Sequence, residues 1–137
     1  MTLAAVATAA ADIEWLTDYK KAQEEAKSAN KVVLVEFTGS DWCPPCIKLK
    51  REVFDKREFQ EYAAKNYVLL EIDFPRAKAQ SEEARHQNEE LAMKFGVRVF
   101  PTTLLIDGEG KPIVILEGYP PGGVNAFIDE LEKRRKS

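Results

Sequence analysis

Cys43 and Cys46 are the only two cysteines in the chain, separated by Pro44 and Pro45. Thiolate rather than thiol attacks a disulfide, so such a pair does redox chemistry only where its surroundings keep one sulfur ionised. The flanking sequence offers such a place. Val32 to Phe37 is a short apolar run rich in β-branched residues, which reads as a buried strand, and Cys46, Leu49 and Val53 then recur at helical spacing. A cysteine where a strand passes into a helix has its thiolate stabilised by unpaired backbone N–H groups and by the positive end of the helix dipole. Cys43 is therefore the expected nucleophile. Cys46 lies one turn further along the same face, placed to attack a mixed disulfide at Cys43 as the resolving thiol.

The two prolines fit the first helical turn, where their missing N–H groups would have no intrahelical partner, and they are expected to leave the amides of Cys46 and Ile47 facing the sulfurs. A residue before proline avoids the α region, so Pro44 is expected to delay the helix start. Two other uses of the pair are open. The cysteines could ligate a metal, although zinc normally takes four ligands and the chain offers one distant histidine, His86, and no second pair. They could instead form a structural disulfide, although a four-residue loop constrains the unfolded chain little. No cofactor and no metal are expected.

The elements that must hold the pair follow from periodicity. Trp15, Tyr19, Ala22, Ala26 and Ala29 mark an amphipathic helix ending near Asn30. After Val53 the helical pattern pauses at Asp55, with Glu58 three residues later as in an N-cap and its reciprocal partner, and the next helix is expected to bury Phe59, Tyr62 and Ala63. Tyr67 to Asp73 is a second apolar strand, interrupted only by Glu71, with its exit marked by Pro75. A polar segment, Arg76 to Gln87, precedes a helix marked by Leu91, Ala92 and Phe95 and stopped by Gly96. Thr102 to Ile106 and Ile113 to Leu116 form a hairpin across Asp107 to Gly110, and Val124, Phe127, Ile128 and Leu131 mark the last helix. Strands separated by helices pair in parallel, and the hairpin adds antiparallel strands. The expected architecture is α/β, a mixed sheet flanked by helices on both faces.

With 137 residues, 45% of them hydrophobic, the chain suits one domain with one core. The 20 basic residues against 23 acidic ones leave a net charge of −3, without the excess that phosphate neutralisation needs, so nucleic acid is a poor partner. The basic run Lys133 to Lys136 reads as a solvated helix end. No stretch approaches the roughly 18 apolar residues that span a bilayer, so a soluble chain without a membrane span is expected. Met1 to Ala11 is almost all small or apolar with AxA spacing, and reads either as the trimmed end of an export signal or as an artefact or frayed alanine-rich helix start. Residues 1–12 are set apart from a domain at 13–137, and the expected state is a monomer.

The run Trp42 to Cys46 (WCPPC), the strand before it and Gly96 to Thr102 (GVRVFPT) together resemble the thioredoxin superfamily, from about Trp15 to Lys133. Phe37 to Cys46 (FTGSDWCPPC), Val53 to Asp55 and Val68 to Asp73 resemble bacterial envelope members, such as the C-terminal domain of DsbD and small periplasmic thioredoxin-like reductases. The resemblance implies a thioredoxin-like fold and a thiol–disulfide oxidoreductase, periplasmic or otherwise exported, acting on protein disulfides or thiols with an upstream electron donor. It implies that Pro101 follows a cis bond and faces the disulfide, with Phe100 presenting backbone to an extended substrate. Trp42 would cover the disulfide, with Pro44 and Pro45 beside it, and the loop Gly118 to Gly122 would come near. Glu36 falls where thioredoxins place a buried aspartate, and would accept the proton of Cys46 through water; Leu69 stands where their lysine partner lies. The absence of histidine between the cysteines leans the protein towards reduction or isomerisation.

Overall fold

The computed structural model describes residues 13–137, and the expectation of a leader remnant falls outside them. The elements are β1 (Trp15–Leu16), α1 (Tyr19–Ala29), β2 (Val32–Thr38), α2 (Pro44–Leu49) running into a π-helical turn (Lys50–Phe54), α3 (Arg57–Asn66), β3 (Tyr67–Asp73), α4 (Glu82–Lys94), β4 (Thr102–Ile106), β5 (Pro112–Glu117) and α5 (Gly123–Arg135). The sheet order is β1-β3-β2-β4-β5. β3 runs parallel to both β1 and β2, whereas β4 lies antiparallel to β2 and β5. This is the expected mixed sheet.

Strand alternation distributes the core. Leu34 and Leu69 point to one face, where they pack with Leu49 of α2, Val53 of the π-turn, Phe59 of α3, and Phe127 and Leu131 of α5. Val33, Val35, Phe37, Leu70 and Ile72 point to the other, against Ala22 and Ala26 of α1 and Leu91 of α4. β2 is central and buried at every position, which explains its unbroken apolar sequence and isolates Glu36 as its one charged residue.

Three element boundaries differ from the sequence reading. Trp15 belongs to a short strand pairing with Leu69; α1 starts later because Asp18 caps it, its carboxylate accepting the Lys21 N–H at 3.0 Å. Asp55 does not cap α3. Its carboxylate takes the Lys50 ammonium at 3.0 Å, its N–H closes the π-turn onto the Lys50 carbonyl, and Lys56 stands at the cap with no side-chain bond. α4 reaches back through the polar segment to Ser81, whose hydroxyl accepts the Ala84 N–H at 3.1 Å. Its far end matches expectation: Gly96, at φ +66°, lets Val97 N–H bond the Ala92 carbonyl.

Phe54, the last residue of the π-turn, meets Trp15, Phe59 and Phe127 edge-on at ring separations of 5.1, 5.0 and 5.6 Å. It thereby locks the end of the cysteine-bearing helix to β1, α3 and α5. Phe54→Ala is expected to lower unfolding free energy by about 3–5 kcal/mol in urea titration; a loss below about 1 kcal/mol would show that the cluster does not hold this helix.

Candidate active site

Cys43 occupies the N-cap of α2 with extended backbone, φ −97° and ψ 106°, and Pro44 is the first helical residue. The proline restriction is thus met by moving Cys43 into the β region without displacing the helix start. The Ile47 N–H donates to the Cys43 carbonyl at 3.0 Å, so the expectation that it faces sulfur is corrected: it makes the first helical bond. Cys43 and Cys46 form a disulfide with Cα atoms 5.2 Å apart. Both cysteines are 3% exposed, so Cys43 is more covered than its expected accessible position. The cover comes from its neighbours. The Phe100 carbonyl oxygen lies 3.8 Å from Cys43 Sγ, and the Phe100 ring meets the Trp42 ring edge-on at 5.9 Å. Pro44, Pro45, Ile47 and Val99 on the flanks are exposed. Exchange requires one in-line approach to one sulfur.

The segment carrying Trp42 is braced by groups that spacing alone did not single out. Asp73, buried at the end of β3, accepts the Ser40 N–H at 2.9 Å and the Ser40 hydroxyl at 2.6 Å. Asp41 accepts the N–H groups of Arg76 and Ala77 at 3.0 and 2.8 Å, bonds that hold its carboxyl below the usual range. The Trp42 indole donates to the Phe74 carbonyl at 2.7 Å, with the Arg76 guanidinium 3.6 Å from the ring centre. A Cβ on Gly39 would come within 2.6 Å of Trp42 Cζ2, so only glycine leaves room for the indole. The Ser40-Asp41 dipeptide before Trp42 was the available signal, since such residues commonly bind nearby backbone N–H groups.

The Phe100–Pro101 peptide is cis and Pro101 is buried at the head of β4. Its carbonyl accepts the Gly118 N–H at 2.7 Å, which ties the loop from Gly118 to Gly122 to this strand. Tyr119 in that loop donates to Glu52 of the π-turn at 2.7 Å, and burial, reinforced by this bond, pushes its hydroxyl up to about 12.

Glu36 is 4% exposed and accepts the Thr103 hydroxyl at 2.6 Å. Burial pushes its carboxyl well above the ordinary 4.5, against the lowering pull of that hydrogen bond and with a further upward push from the Glu71 charge. Glu36 and Cys46 line one cavity of about 300 Å³. His86 lies away on α4, exposed, 2.9 Å from Glu90. Among the described residues no group of three or more His, Cys, Asp or Glu side chains is placed to hold a metal ion. Nor is any described helix long and apolar enough to cross a membrane.

The fold thus brings together a disulfide at the N-terminus of α2, a cis peptide whose Phe100 carbonyl lies 3.8 Å from Cys43 Sγ, and a buried carboxyl on the cavity that Cys46 lines. The model of the thioredoxin-like domain matches residues 19–134. The disulfide bond reductase DsbH of Chlamydia pneumoniae is 37% identical over 93% of this chain and 76% of its own length. A solved DsbH oxidoreductase superposes with a TM-score of 0.85 at 35% identity, covering 92% of this chain and 86% of that one. The oxidised C-terminal domain of Neisseria meningitidis DsbD shares the fold, with a TM-score of 0.63 at 17% identity over 89% of this chain and all (100%) of that one. The chain belongs to the thioredoxin-like domain family, and it is a thiol–disulfide oxidoreductase.

Glu36 makes stability depend on pH. Its carboxyl keeps its proton to higher pH when folded than when unfolded, so its favourable contribution is complete below pH 4.5 and is lost as pH rises through the folded value. In the oxidised protein, Glu36→Gln should remove a decline of at most about 1.4 kcal/mol per pH unit across that window in denaturant titrations. Parallel wild-type and variant profiles would show that Glu36 titrates normally.

Proposed function

We propose that this oxidoreductase works as a reductant or isomerase of other proteins in the bacterial envelope, with Cys43 as nucleophile and Cys46 as resolving thiol. The observation that carries the order of attack is the position of Cys43 at the cap of α2, with Cys46 one turn behind it over the cavity that holds Glu36. In the reduced protein the Cys43 thiolate attacks one sulfur of a substrate disulfide. A mixed disulfide forms and the other substrate sulfur leaves as thiolate. Cys46 gives its proton to the Glu36 carboxylate, and the Cys46 thiolate attacks Cys43 Sγ, closing the Cys43–Cys46 bond and releasing the second substrate thiolate. The substrate gains two electrons, the pair loses two, and an upstream dithiol donor restores it.

Trp42, Pro44, Pro45, Phe100 and Pro101 form the proposed docking surface, where an extended substrate segment lies across the exposed rim. Similarity to a disulfide bond reductase supports the reducing direction, and the absence of histidine between the cysteines supports it independently. The envelope placement rests on the similarity to the Dsb relatives. Cys46→Ala should accumulate mixed disulfides with proteins, mapped to Cys43 by mass spectrometry, while Cys43→Ala traps nothing and fails to reduce insulin. Adducts on Cys46 in the Cys43→Ala protein, with none on Cys43 in the Cys46→Ala protein, would reverse the assignment.

A further inference from the structure

β2 places three polar side chains in one row. Glu36 is in register with Glu71 on its parallel neighbour β3 and with Thr103 on its antiparallel neighbour β4. Residues opposite one another in a sheet project to the same face, so both carboxyls point into the layer beneath α2. There they line the same cavity as Cys46, with Lys50 and Asp55 of the π-helical region at its wall. Glu36 is almost wholly buried whereas Glu71 is half-buried. A cavity of about 300 Å³ with carboxyl and ammonium groups on its walls has room and partners for several waters.

We propose that Glu71 is a positioning residue for the exchange reaction: it shares with Glu36 the proton that leaves Cys46, and forms the station from which that proton reaches solvent through the cavity. The inference rests on the reading of Glu36 as the base for Cys46. Two carboxylates side by side resist double ionisation, so the charge on Glu71 makes Glu36 a stronger base than burial alone would. The proton arriving on Glu36 is then passed by water to Glu71 and released, which restores the Glu36 carboxylate for the next turnover with no net change at either residue.

The surrounding charges bear on Glu71 from three elements. Burial and Asp73 push its carboxyl up, while Lys78 and Lys50 draw it down. Lys50 is held by Asp55 at 3.0 Å, and Lys78 lies 3.5 Å from Asp73, so neither cation is given over to Glu71 alone. The balance leaves the Glu71 carboxyl above the ordinary carboxylate range, with burial the largest cause.

The test uses reduced protein and an aromatic disulfide that releases one coloured thiolate when Cys43 attacks and a second when Cys46 resolves. The second phase is followed from roughly pH 5 to 9 in wild type, Glu36→Gln, Glu71→Gln and the double variant. Glu71→Gln should move the acidic midpoint of the second phase down by about one pH unit and lower its plateau severalfold, leaving the first phase unchanged. Glu36→Gln should slow the second phase by roughly a hundredfold, and adding Glu71→Gln should change nothing more. A normal Glu71→Gln profile beside a slowed Glu36→Gln protein overturns the role of Glu71 alone. A normal Glu36→Gln profile removes the base reading and this inference with it. In the oxidised protein, the Glu36 carboxyl resonance should titrate at lower pH in Glu71→Ala, and an unmoved titration contradicts the coupling.

Discussion

A charged carboxyl in the middle of a central β-strand costs several kcal/mol unless it is neutralised or well bonded, and Glu36 occupies that place. The structure meets the cost in part with the Thr103 hydroxyl and in part by keeping the carboxyl protonated to higher pH. An isolated acid would be replaced at little loss by an apolar residue. Glu36 lies on the cavity that Cys46 also lines, where the proposed proton transfer from that thiol would use it. The helix over the cavity carries Cys46 to the lining that Glu36 shares, while its N-terminus holds Cys43 against the Phe100 carbonyl.

Holding that geometry is the task of the segment between β2 and α2. Ser40 is tied to Asp73 and Asp41 to the backbone after β3, so the turn leading to Cys43 is fixed to the end of the neighbouring strand on two sides. Trp42 is held in turn by the Phe74 carbonyl and by Arg76. Behind the pair, the Phe54 aromatic cluster anchors the far end of the helix, and the Glu52–Tyr119 bond links it to the loop before α5. Thiol exchange needs three sulfurs nearly in line, and a braced N-terminus reduces the ordering that this alignment demands.

Much of this was legible in the chain because the relevant signals are local. The apolar run of β2, the strand-to-helix position of Cys43 and the glycine stop at Gly96 each depend on a few consecutive residues. Glu36 announced itself as one charge in an apolar strand. Legibility ended where partners are distant or geometry competes with propensity. Asp55 has the spacing of a cap, yet the Lys50 ammonium claims its carboxylate. Trp15 has helical spacing with Tyr19, yet its backbone pairs with β3. Asp73, Phe74 and Arg76 are ordinary residues in the sequence and acquire roles only when the β3 exit folds against the Trp42 turn. The Phe100 carbonyl against Cys43 Sγ comes from 57 positions away, and no local spacing marks it.

The proposed chemistry turns on an asymmetry between two thiols: one stabilised as thiolate at a helix cap, the other set over a cavity beside a buried acid. Following thiolate absorbance in the reduced protein, with each single-cysteine variant as reference, measures it directly. Cys43 is expected to ionise below the ordinary value of about 8.5 and Cys46 above it. Equal values, or a lower value for Cys46, would contradict it.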